Sequence, residues 1–142
     1  MTETKQLDLS QRHVGAMVKH ARSEAPNEAC GLLAGKGEQV ERVYPLTNAD
    51  HSPTTYRLDT EEQYRALVEI EERGWEVVGV YHSHTHTPAY PSPTDIEQAY
   101  FPKVVCLILS LADPDRPLLR GFRIVEGEVE ELKLEISENE EV

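Results

Sequence analysis

Three of the six histidines fall within five residues, His82-Ser83-His84-Thr85-His86, where an apolar stretch over 76–81 gives way to a Pro-rich loop. A strand alternates its faces, so His82 and His84 project from one side of it. Their imidazoles can converge on one ion at ~2.0–2.1 Å, the length of a zinc–nitrogen bond. Eleven residues past His84 stands Asp95, in Ser92-Pro93-Thr94-Asp95-Ile96. Pro93 suits the first position of a helix, which makes Ser92 the N-cap and puts Asp95 in the first turn. A carboxylate there can face back to the strand end. Each piece alone has a second reading: alternating histidines as polar edge residues, and Ser92 with Asp95 as a capping pair beside a favourable dipole. His86 falls past the strand end, where Thr87-Pro88 turns the chain away.

The elements that must carry these residues are legible as patterns. A short strand at Leu7-Asp8-Leu9 precedes Ser10, which can cap a helix over 11–24 with Val14, Met17, Val18 and Ala21 on its buried face. Pro26 ends that helix. The small apolar stretch 29–35 reads as a buried strand, a Gly35-Lys36-Gly37 turn leads to a second strand over 39–44, and residues 46–55 form a turn-rich surface loop. Thr60 and Gln63 have the spacing of a capping box. The helix behind them carries Tyr64, Leu67, Val68 and Glu71 on neighbouring turns, and Gly74 stops it. Strands follow over 76–82, 103–111, 118–125 and 128–136, with a short helix near 93–100 and a hairpin at Glu126-Gly127. Helices and strands interleave early and the end is all strand, which predicts a single α+β domain with a mixed sheet flanked by helices. The domain is expected to span 1–136, with 137–142 as an acidic tail.

Composition narrows the function. The 142 residues hold 14 Lys and Arg against 26 Asp and Glu, a formal charge of −12. Such a surface repels phosphate backbones and argues against nucleic acid and anionic membranes. Residues 126–142 hold eight Glu against Lys133 alone, so the negative charge is concentrated at that end. The longest apolar run, Val104–Leu109, is six residues, too short to cross a bilayer. The first ten residues lack the basic and apolar regions of a signal peptide. Cys30 and Cys106 stand far apart without a CxxC pair, which leaves neither a disulfide framework nor a cysteine zinc site. A cytoplasmic location is expected.

With Glu28 upstream, the residues form a larger pattern: Glu28-(Ala-Cys-Gly-Leu-Leu-Ala-Gly)…His82-Ser-His84-x7-Ser92-x2-Asp95. It resembles the JAMM (MPN-plus) metallopeptidases, over about residues 10–125 and including the segment Ser52–Asp59. The short bacterial members, similar to hydrolases that release cysteine from a sulfur-carrier protein, resemble it most. Only ten residues separate His84 from Asp95, which excludes a large insertion there. The resemblance implies the MPN fold, related in shape to the cytidine deaminases. It implies one zinc ion per chain on His82, His84 and Asp95. It also implies Glu28 as the proton carrier and Ser92 as a donor to the oxyanion. Read without the family, Glu28 is a solvated side chain near a turn, and Cys30 is a small buried residue. No HExxH is present, and the H-x-E…P-C-x-x-C ligands of zinc deaminases are absent. An iron(II) facial triad shares the ligand types. The implied substrate is an amide at the Gly-Gly C-terminus of a small ubiquitin-like or sulfur-carrier protein, with release of cysteine as one outcome. Two alternatives stand beside it: a non-catalytic MPN module that binds a partner, and a peptidase for small peptides. Oligomeric state is not legible.

Overall fold

The computed structural model describes residues 5–99 and 103–138. Seven strands and three helices follow in chain order. They are β1 (Gln6–Ser10), α1 (Gln11–Glu24), β2 (Cys30–Lys36), β3 (Gln39–Leu46), α2 (Thr60–Glu72), β4 (Glu76–His84), α3 (Pro93–Glu97), β5 (Val105–Ser110), β6 (Leu118–Val125) and β7 (Glu128–Ser137). The sheet is mixed, as expected, and it closes into a barrel in the order β1-β3-β2-β4-β5-β6-β7. Closure comes from β1, which runs parallel to β7 from Gln6–Lys133 to Ser10–Ser137 and touches β3 through Asp8 and Gln39. β7 thus continues one residue beyond the expected domain end, and most of the expected acidic tail, 139–142, lies outside the described residues. Among the described residues no helix is long and apolar enough to cross a membrane.

Both faces of the central strands are covered, which is why β2 and β5 read as unbroken apolar runs. Leu33, Tyr81 and Leu107 pack with Met17 and Ala21 of α1, whereas Leu32 and Ala34 pack with Ala66 and Ile70 of α2. A third cluster joins Ala89, Ile108 and Phe122, with Ile96 of α3 against it. Burying a Leu or Phe side chain contributes about 1.5–3 kcal/mol, so these clusters fix β2, β4 and β5 as a stiff platform. β4 and β5 run parallel, pairing His82 with Ile108 and His84 with Ser110.

α1 matches its expected range, capped by the Ser10 side chain, which accepts from the His13 N–H. At α2 the capping expectation shifts by one residue. Asp59 is the N-cap, accepting from the N–H groups of Glu61 and Glu62, and Thr60 is the first helical residue. A carboxylate beside the positive helix end is a stronger acceptor than the hydroxyl. α2 also turns Ala66 and Ile70 inward and leaves Tyr64, Leu67 and Val68 exposed. The strand expected at 39–44 runs on to Leu46, and α3 ends at Glu97.

Candidate active site

β4 ends at His84 and delivers both histidines to one face, His82 fully buried and His84 nearly so. α3 starts as expected. The Ser92 Oγ accepts from the Asp95 N–H at 3.0 Å, and Asp95 Oδ2 accepts from the Ser92 N–H at 2.9 Å. This reciprocal cap turns the Asp95 carboxylate towards β4. The Nε2 atoms of His82 and His84 lie 3.2 Å apart, and Asp95 Oδ2 lies 3.2 Å from the first and 3.0 Å from the second. A triangle of those sides has a circumradius of about 1.8 Å, shorter than the ~2.0–2.1 Å of a zinc–nitrogen bond. The three atoms are therefore spaced closely enough that one such ion would be within reach of all of them.

Hydrogen bonding fits that use. The only acceptor that Pro88 offers is its carbonyl, so His84 donates to it through Nδ1 at 2.9 Å and keeps the Nε2 lone pair free. His82 Nδ1 is buried without a hydrogen-bond partner among the described residues, and its ring is held by stacking on Tyr56, with centroids 4.5 Å apart and planes 20° off parallel. With both Nε2 atoms unprotonated, the two imidazoles and the Asp95 carboxylate face one another as acceptors at 3.0–3.2 Å and repel; a proton on Nε2, which makes the bonds to Asp95, or a metal ion among them relieves this. Burial lowers His82 against the pull of Asp95. At His84 burial acts the same way but is outweighed by the bonds to Asp95 and Pro88 and by nearby carboxylates, so its basicity is raised. Burial works upward on Asp95 as well, yet the bonds from His82 and His84 hold it well below the usual carboxylate range.

Glu28, just before β2, is buried, and its Oε1 has no hydrogen-bond partner among the described residues. Burial lifts its carboxyl to about 7, against the pull of His84 and with the repulsion of Asp95. Its backbone is fixed from two sides. The Glu28 N–H donates to the Ser52 carbonyl at 2.8 Å, and its carbonyl accepts from Asn48 Nδ2 at 3.0 Å. The next residue, Ala29, donates to Ser83 Oγ at 2.8 Å and accepts from the Ser83 N–H at 3.0 Å. Ser83 thus points away from its histidine neighbours and locks the β2 entrance to β4. Gly31 completes the approach, since a Cβ there would collide with the Tyr44 carbonyl and the Tyr81 ring. Five expected site residues are accordingly held by one local framework.

Other residues behave otherwise. His86 is exposed beyond β4, with Nδ1 near the Thr85 hydroxyl at 2.9 Å, and is not in the triad. Burial pushes the thiols of Cys30 and Cys106 up to about 12, which makes neither a nucleophile at neutral pH. Sequence reasoning missed Asn48 and Tyr56 as site residues. Buried Asn48 also donates to the Thr55 carbonyl and accepts from the N–H groups of Asp50 and Arg57, which ties the loop between β3 and α2 to Glu28. An Asn in a turn-rich segment carries no signal that its partners lie twenty residues upstream.

Comparison with known proteins adds to the geometry. A family model described as prokaryotic homologs of the JAB domain matches residues 10–125. The CysO-cysteine peptidase of Mycobacterium tuberculosis is 46% identical over 127 residues, covering 88% of this chain and 87% of the relative. A solution structure of a protein from Desulfitobacterium hafniense is 41% identical with a TM-score of 0.86, covering 94% of each chain. The crystal structure of a JAB1/MPN domain protein from Archaeoglobus fulgidus shares the fold, with a TM-score of 0.64 at 19% identity over 92% of this chain and 99% of that one.

Proposed function

The chain belongs to the prokaryotic JAB-domain family, and from that membership we propose that it is a zinc metallopeptidase acting on a Gly-Gly-tailed carrier protein. The bond cut is the amide joining the tail to an amino acid, cysteine in the leading case. The single observation that carries this reading is the convergence of His82 Nε2, His84 Nε2 and Asp95 Oδ2 near a buried Glu28 whose Oε1 has no hydrogen-bond partner among the described residues. A non-catalytic binding module has no use for such a donor set. The relative named CysO-cysteine peptidase supports the substrate class. A thin Gly-Gly tail can enter a narrow cleft while the carrier's folded body stays outside. The free thiols and the charge balance fit a cytoplasmic enzyme.

His82, His84 and Asp95 would hold the zinc, and they fit it by donor type and spacing. When bound, the ion polarises a scissile carbonyl and brings its water's pKa to about 7. Glu28 then takes the proton of the attacking water on a carboxylate oxygen and hands it to the departing amine nitrogen. A buried carboxylate whose Oε1 has no hydrogen-bond partner among the described residues is free to do both. Ser92 donates its hydroxyl proton to the developing oxyanion. The helix cap occupies a lone pair of Oγ and leaves that proton free, so the two roles of Ser92 are compatible.

Native mass spectrometry after zinc addition and desalting tests the site. One zinc per chain is expected in the wild type and none in His84→Ala. Folded wild type without zinc would overturn the assignment of all three ligands.

A further inference from the structure

We propose that Arg57 sets the specificity of the cleft by receiving the free α-carboxylate of a single amino acid leaving the carrier tail. This inference rests on the amide-hydrolase reading above and narrows it, favouring release of one amino acid over cleavage of a lysine-linked protein conjugate.

Beside the ligand triad lies a cavity of about 480 Å³. His82 and Asp95 form part of its wall, and Asp50, Arg57, Gln98 and Cys106 form much of the rest. Its size is that of a small-molecule site rather than a groove for a second folded protein. Two of the three metal-facing residues border it, so a group held there lies next to the reacting carbonyl. Arg57 is the one cationic side chain on the described wall, which also contains two aspartates. In a chain of net charge −12 an anionic substrate end is repelled elsewhere.

The arginine is also prepared for the task. Its N–H donates to Asn48 Oδ1 at 3.1 Å and its carbonyl accepts from the Ala49 N–H at 2.7 Å, beside the bridge between Asn48 and Leu58. The neighbouring Tyr56 stacks on His82, so the backbone at Arg57 is in register with the metal site. Asp50 engages Nε at 3.3 Å, and this is the guanidinium's only hydrogen bond among the described residues. The terminal N–H groups stay available for the paired, parallel contacts that a carboxylate accepts. A lysine isopeptide would place an alkyl chain and a second protein here, with no carboxylate to meet them.

The experiment uses the zinc-loaded full chain with two substrates, a carrier ending in Gly-Gly-cysteine and the same carrier ending in Gly-Gly-cysteinamide. The wild type should show a KM for the acid lower than for the amide by about 10- to 100-fold, the range of a hydrogen bond to a charged group. Arg57→Gln should raise the acid's KM to the amide's, leave kcat within about threefold and leave the amide unchanged; Arg57→Lys should recover part of the preference. Equal effects on both substrates, no effect on either, or faster wild-type turnover of a lysine-linked conjugate would overturn the inference. Calorimetric binding of both adducts to zinc-loaded Glu28→Gln, with and without Arg57→Gln, reads the same preference without turnover. If the wild type hydrolyses neither adduct, the functional reading fails. Acid preference lost with Arg57 would then still uphold this inference, and equal binding would overturn it.

Discussion

Glu28→Gln separates the electrostatics of the buried carboxyl from its chemistry. In the metal-free protein burial lifts this group from an ordinary 4.5 to about 7. Between those values the native chain keeps a proton that the unfolded chain has released, so wild-type stability falls as pH rises through the window and levels off above it. At pH 5.5 the cost has reached about 1 kcal/mol and at pH 8.5 about 3 kcal/mol, at roughly 1.4 kcal/mol per pK unit. Gln mimics the neutral acid and has no such cost. Its stability relative to wild type should therefore improve by about 2 kcal/mol between the two pH values. Titrating groups distant from Glu28 act on both proteins and cancel in the difference; His84, whose basicity Glu28 helps to raise, does not cancel. Urea unfolding of both proteins in chelator, at pH 5.5 and 8.5, measures it. A difference that stays flat within about 0.5 kcal/mol would refute the burial of Glu28. In zinc-loaded protein the same substitution should keep one ion per chain and lower kcat by about 10²–10⁴-fold, the contribution of a positioned acid–base group.

Two further outcomes follow from the framework around the site. Asn48→Ala strands the carbonyls of Glu28 and Thr55 and the N–H groups of Asp50 and Arg57, and should destabilise the fold by at least ~2 kcal/mol in denaturant titration; a loss below about 0.5 kcal/mol would contradict the network. Asp59→Ala should cost about 1 kcal/mol while Thr60→Ala costs little, because the cap is Asp59; the reverse order in thermal melts would restore Thr60 as the cap.

What the sequence made legible was local. His82 and His84 are placed by the two-residue period of a strand, and Ser92 with Asp95 by the first turn of a helix, so spacing alone puts them on usable faces. Glu28 differs, since its proximity to the triad comes from β2 lying beside β4, and only the family pattern marked it. Barrel closure was not visible because β1 and β7 pair across almost the whole chain, an arrangement that leaves no periodic trace. The same reason hid Asn48 and Tyr56 as site residues. Their contacts run from an irregular loop to Glu28 and His82, far off in the chain, and although the family resemblance covered Ser52–Asp59, turn-rich composition says only that the segment is no helix or strand. At α2 the pattern of large apolar residues pointed to Tyr64, Leu67 and Val68, whereas the barrel takes the smaller face of Ala66 and Ile70, which brings the helix close.

The most direct test of the account is intact-mass analysis of a carrier protein ending in Gly-Gly-cysteine after incubation with the zinc-loaded protein. The account predicts a carrier lighter by one cysteine residue, with free cysteine released in equal amount and no change when Glu28→Gln is used instead. An unchanged carrier in the presence of protein that retains one zinc per chain would contradict it.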